Sequence, residues 1–157
     1  MVPEIRALTV RQPYAGALIW HGKDRENRSR PMRYRGPLLI HAGLHKPDWH
    51  DYLTVRDMAP SGQPVEWDDD RRALGVILCT VRVTGCHHAK ECLTAGLARR
   101  KRYCSPWAAA GQWHIEVADP VPFTRAVPCK GSLVLGWRLP EDAEKAVRAQ
   151  MEEAPVA

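Results

Sequence analysis

The chain has 157 residues, a net charge of +5 and thirteen prolines, a length that favours one domain spanning 1–157 around one real core. It holds no run of about 18 apolar residues to cross a membrane and no apolar leader behind the early charges Glu4 and Arg6. Its five cysteines are odd in number and irregular in spacing, which argues against a disulfide framework and for a reducing cytoplasm.

The charge is segregated along the chain. Residues 1–46 carry nine Lys/Arg and three Asp/Glu, residues 47–70 carry one Arg and seven acids, and residues 71–157 carry thirteen bases and eight acids. The positive charge concentrates in Arg25 to Arg35 and in Arg99-Arg100-Lys101-Arg102, and the acidic block ends in Glu66-Trp67-Asp68-Asp69-Asp70. Two basic segments meeting at one groove would make a footprint for phosphates; two solvated loops on opposite sides would not.

In chain order, Ile5 to Val10 reads as a strand with Leu8 and Val10 on one face. Pro13 suits the first turn of a helix. Tyr14, Ala15, Leu18 and Ile19 give that helix an apolar side, and Gly22 stops it. Lys23 to Arg28 is predicted as a strand of unusual polarity. Pro37 to Ala42 reads as a buried strand behind the Arg35-Gly36 turn. Pro47 to Met58 is predicted helical with Asp48 near its start, and 59–71 reads as a loop. Ala73 to Val83 is the strongest strand, with Ile77, Cys79, Val81 and Val83 on one face.

A short helix is predicted over Lys90 to Ala98 and a strand over Gln112 to Val117. Pro120, Pro122 and Pro128 mark an extended connection that cannot be a central strand. Ser132 to Leu139 reads as the last strand. Pro140-Glu141-Asp142 opens a terminal helix whose inner face is Ala143, Ala146, Val147, Gln150 and Met151. No repeat or linker interrupts the pattern. Five or six short strands with small peripheral helices define a mainly β, α+β chain, a small barrel or a strongly curved sheet.

The candidate site residues follow from this layout. Arg11 and Gln12 stand where a strand ends and a helix begins, beside free backbone N–H groups, a seat for an anion; alternatively Arg11 pairs with Glu26 and ties helix to strand. Lys23, Glu26 and Arg28, with Asn27, can orient a base edge, the carboxylate accepting and the others donating. The same pair, Lys23 and Glu26, suits acid–base work if burial tunes it, or an edge strand kept polar against aggregation. His41 ends a buried run, either a hydrogen-bonded core histidine or a catalytic one.

Arg30, Arg33, Arg35 and Arg99 to Arg102 are candidate phosphate contacts. Trp107, in a Ser-Pro-Trp loop, is a candidate for stacking on bases, whereas Trp20, Trp49 and Trp137 read as structural. Cys86-His87-His88, Cys92 and Cys104 contain no tight ligand pair such as C-x-x-C, so no metal or other cofactor is expected.

Several of these runs resemble the ASCH domain. They are Leu8-Thr9-Val10-Arg11-Gln12-Pro13-Tyr14-Ala15, Gly22-Lys23, Glu26-Asn27-Arg28 and Arg35-Gly36-Pro37-Leu38-Leu39-Ile40-His41-Ala42. Ala73 to Ile77, Trp113 to Val117, Pro128, Lys130-Gly131 and Trp137-Arg138-Leu139 are similar to the later strands of that family. The resemblance implies a PUA-like β-barrel, a cleft between barrel and first helix, and binding of nucleic acid, RNA or single strands. Tyr14 joins the cleft residues Arg11, Gln12, Lys23, Glu26, Asn27, Arg28 and His41 on that basis.

Some members resemble small hydrolases that cut RNA or act on acetylated cytidine. Their amidohydrolase pattern has a Lys and, three residues on, a Thr; here Lys23 matches but Glu26 stands at the Thr position, and a carboxylate does not replace a hydroxyl nucleophile. A hydrolase using Lys23, Glu26 and His41 is thus the alternative to a binding module. A third expectation is a protein partner docking on the acidic segment 66–70.

Overall fold

The computed structural model describes residues 4–60, 72–94 and 103–153. Six strands form one sheet in the order β2-β5-β4-β3-β1-β6: β1 (Arg6–Val10), β2 (Arg25–Arg28), β3 (Gly36–Ala42), β4 (Val76–His88), β5 (Trp113–Pro128) and β6 (Trp137–Arg138). Among the described residues four helices accompany them: α1 (Tyr14–Trp20), α2 (Trp49–Met58), α3 (Ala89–Thr94) and α4 (Glu141–Glu153). The fold is mixed α+β. Among the described residues none of the helices is long and apolar enough to cross a membrane.

Alternation along β1 and β3 separates two cores. Leu8 and Val10 with Leu38, Ile40 and Ala42 face Ala15 and Leu18 of α1. Ala7 and Leu39 face the other way, onto Trp137 of β6, Leu139 just after it, and Ala143 and Val147 of α4. The two strands run parallel, Leu8 beside Ile40 and Thr9 beside His41, while β3–β4, β4–β5 and β2–β5 are antiparallel. Between the Ile40–Cys79 and His41–Ile77 pairs β4 carries one extra residue, Leu78, a bulge that bends β4. Cys79, Val81 and Val83 of β4 are buried in the first core as the sequence predicts, but past the bulge the faces exchange: Leu78 joins that core and Ile77 packs in the second.

The backbone ladder does not close into a barrel among the described residues. One side chain nonetheless spans the sheet: Arg28 Nη2 on β2 donates to the backbone carbonyl of Thr9 on β1. These strands stand four positions apart in the sheet order.

Several local expectations are corrected. Residues 118–128 continue β5 rather than connect elements, pairing with β4 alone; the prolines sit where the strand is an edge and a missing N–H does no harm. The segment from Ser132 pairs only at Trp137–Arg138, and Leu133 and Val134 are exposed. Helix α4 buries Ala143, Val147 and Gln150, while Ala146 and Met151 face outward. Pro13 precedes α1 instead of opening its first turn, through a cis Gln12–Pro13 bond. Asp48 does cap α2, in a reciprocal box with Asp51. The two tryptophan assignments exchange. Trp107 is 5% exposed, packed on Ala17 and Val55 between α1 and α2, and Trp49 is 74% exposed.

Candidate ligand-binding cleft

A hollow of about 380 Å³ opens between the end of β1, the start of α1 and β2, with Leu133 over its rim. Val10 and Tyr14 supply apolar wall; Arg11, Lys23, Glu26, Asn27 and Arg28 supply the polar lining. Strand alternation explains the division of labour within β2. Glu26 pairs with Ile115, a residue of the inner core, so Glu26 and Arg28 point inward, while Arg25 and Asn27 point to the opposite face.

Glu26 is the hub. Its Oε2 accepts from Lys23 Nζ at 2.6 Å, and its Oε1 accepts from Arg28 Nε at 3.2 Å with Nη2 at 3.1 Å. Lys23 is 5% exposed and gives a second hydrogen bond to the carbonyl of Arg25. A buried carboxylate between two cations is satisfied, and two positive charges against one negative leave the pocket cationic. Arg11 at the mouth adds a third positive charge. Its guanidinium touches His45 Nε2, and not Glu26, so the helix–strand tie weighed from sequence is not made. Burial, reinforced by the charge of Asp51, pushes the Tyr14 phenol above its ordinary value, keeping it a protonated donor at neutral pH.

Other candidates lie elsewhere. Gln12 is buried, its Nε2 donating to the carbonyl of Ala73 and its Oε1 accepting from the N–H of Gly16; it satisfies a first-turn amide of α1 that Pro13 cannot cap. Asn27 borders the cleft, but its amide clamps the neighbouring loop: Nδ2 donates to the carbonyl of Trp107 at 2.9 Å and Oδ1 accepts from the N–H of Ala109 at 2.8 Å. Trp107 is core and offers no stacking face. Arg30, Arg33 and Arg35 are exposed beyond β2, with Arg35 Nη1 turned back onto the carbonyls of Met32 and Tyr34. Arg99, Arg100, Lys101 and Arg102, and the acidic segment 66–70, lie outside the described residues.

His41 is buried on the opposite face of β3, away from the cleft. Its Nε2–H donates to the carbonyl of Cys129 at 2.7 Å, which leaves Nδ1 to accept from Thr9 Oγ1 at 3.2 Å. Thr9 Oγ1 in turn accepts from Trp137 Nε1 at 3.1 Å. This chain fixes one neutral tautomer, and burial holds the imidazole below its ordinary value. His41 is a structural histidine here, not a partner of Lys23 and Glu26.

A second polar cluster joins His87, Cys92 and Cys104, set aside from sequence for want of a tight ligand pair, to His114, which the sequence reading missed. His87, Cys92, Cys104 and His114 each offer one donor atom, all within 4.8 Å of one another. The spacing hides it, because the ligands span 28 residues and His114 sits in an ordinary strand. The usable signal is pairing: His87 of β4 stands directly across from His114 of β5.

A scan against protein-family models finds no match to the chain, and a search of curated proteins finds none either.

Proposed function

We propose that the cleft receives a base or nucleotide of a nucleic acid, RNA or another single strand, on an ASCH-like domain whose curled sheet approximates a PUA-like barrel. The observation that carries this reading is Glu26. A carboxylate 8% exposed at the floor of a solvent-reachable hollow, flanked by Arg28, offers an acceptor beside donors. That is the complement of a base edge, which also mixes donors and acceptors. The volume is in the range of small-ligand pockets. Leu133, 91% exposed at the rim, gives the flat face of a ring an apolar surface to cover. The net positive lining and Arg11 favour an attached phosphate.

Arg28 bridging to the Thr9 carbonyl supports the barrel-like reading, since it draws distant strands of the sheet together. The hydrolase alternative uses Lys23 and Glu26 with His41. His41 lies on the other face of β3, outside the cleft lining, and both Glu26 oxygens already accept from Lys23 and Arg28. Binding is therefore the reading the geometry favours.

The test is fluorescence anisotropy with a labelled single-stranded RNA and its duplex over a range of salt. Affinity for the single strand should fall linearly on a log–log plot, by a slope of about 0.7 per phosphate contact. Arg30→Ala with Arg33→Ala should reduce that slope by about 1.4 if both meet phosphates. No binding to single strands at low salt would overturn the proposal.

A further inference from the structure

We propose that His87, Cys92, Cys104 and His114 form a structural zinc site, on the face of β2 turned away from the cleft. Four of the six distances between donor atoms lie near the edges of a single tetrahedral site, and all six are within 4.8 Å. His87 Nε2 to His114 Nδ1 is 3.3 Å, Cys104 Sγ to His114 Nδ1 is 3.5 Å, Cys92 Sγ to His114 Nδ1 is 3.8 Å and His87 Nε2 to Cys92 Sγ is 3.3 Å. A tetrahedron built with the usual Zn–N and Zn–S bonds has edges of about 3.3 Å between nitrogens, about 3.5 Å between nitrogen and sulfur and about 3.8 Å between sulfurs.

The protons of the two imidazoles point to the same conclusion. His114 Nε2 lies 2.7 Å from the carbonyl of Ala109, and a carbonyl only accepts, so the proton sits on Nε2 and Nδ1 is bare. His87 Nδ1 likewise faces Glu116 Oε1 at 3.3 Å, so each imidazole has an acceptor on its far nitrogen, while His87 Nε2 and His114 Nδ1 turn toward the middle of the cluster, 3.3 Å apart. Histidines that ligate metals are oriented in this manner, by a carbonyl or carboxylate on the far nitrogen. Arg25 Nε donates to Cys104 Sγ at 3.3 Å, a contact that holds the sulfur in place beside the other three donor atoms.

Charge closes as well. When zinc binds, the two thiols release two protons, and two thiolates with two neutral imidazoles cancel the ion's double charge in a largely buried setting. Four protein ligands fill the tetrahedron, so the site is structural and leaves no position for substrate. Its role follows from its neighbours. The ion would join β4, α3, β5 and the loop whose Trp107 and Ala109 hold Asn27, fixing the outer face of β2 while Glu26 and Arg28 serve the cleft on the inner face.

The test is zinc uptake by the full chain, reduced and metal-stripped, in competition with a chromogenic chelator. The expected result is one zinc per chain, lost in Cys92→Ser and Cys104→Ser and retained in Cys86→Ser, whose thiol lies outside the cluster. Cobalt substitution of the wild-type chain guards against variants that fail to fold, and should give tetrahedral ligand-field bands with thiolate-to-cobalt charge transfer. Failure of the folded wild-type chain to take up stoichiometric zinc would overturn the proposal. So would a cobalt spectrum without the thiolate band, or undiminished binding in Cys104→Ser.

Discussion

Replacing Glu26 by Ala tests whether the cleft's charges form one balanced unit. The substitution removes the acceptor of Lys23 Nζ, at 2.6 Å, and of the Arg28 guanidinium. The two losses are unequal. Arg28 keeps its bond to the Thr9 carbonyl and is partly exposed, so water compensates it. The Lys23 side chain is only 3% exposed and keeps just the Arg25 carbonyl. Removing one partner from a buried ion pair costs about 3–5 kcal/mol, because the remaining charge stays desolvated. At this chain length each kcal/mol moves the midpoint by roughly 2–4 °C, so Glu26→Ala should lower Tm by about 6–20 °C. The assay is thermal unfolding at pH 7, with urea unfolding to confirm the free energy. A second variant, Lys23→Met with Glu26→Leu, removes both charges and should recover at least half of the loss. A Glu26→Ala midpoint within about 2 °C of wild type, or a double variant less stable than the single, would refute the buried-pair reasoning.

Three further outcomes follow from residues outside the cleft. Trp107→Ala should cost about 3–5 kcal/mol as a core truncation, whereas Trp49→Ala should stay within about 0.5 kcal/mol, both read by urea unfolding. Gly131→Ala should destabilise by about 1–3 kcal/mol, because a Cβ there would lie 2.4 Å from His41 Cε1 and 2.9 Å from Thr9 Oγ1; an unchanged urea midpoint would contradict the packing around His41. His41 is held below its ordinary value by burial, so the unfolded chain binds more protons and stability must fall as pH drops through and below about 6.5. His41→Gln should flatten the slope of Tm against pH between 7 and 5.5, and an unaltered slope would assign that dependence to other groups.

What the sequence revealed follows from local rules. The alternation of Leu8 with Val10, the helical spacing of Ala15 and Leu18, and the acid at Asp48 each act over a few residues, and the corresponding elements stand close to where they are predicted. The polar run 23–28 was legible as a strand with an inward charged set, and Lys23, Glu26 and Arg28 do converge. The failures are non-local. Trp107 and Trp49 exchange places because burial of an aromatic depends on which helices meet over it, here α1 and α2 over Trp107. Gln12 looked like a ligand contact because its role, receiving the Gly16 amide where Pro13 gives no cap, depends on the backbone path. The prolines of β5 read as breakers because sequence does not say that residues 118–128 lie at an edge. The Cys/His cluster needs the β4–β5 register, which alone brings His114 opposite His87.

The most direct measurement is a crystal structure of the chain soaked with nucleoside monophosphates and with a short single-stranded RNA. Density for a base seated on Glu26 and Arg28, with its phosphate toward Arg11, is the expected result. A well-ordered oligonucleotide bound at another surface, with the Glu26 hollow left to solvent, would contradict it.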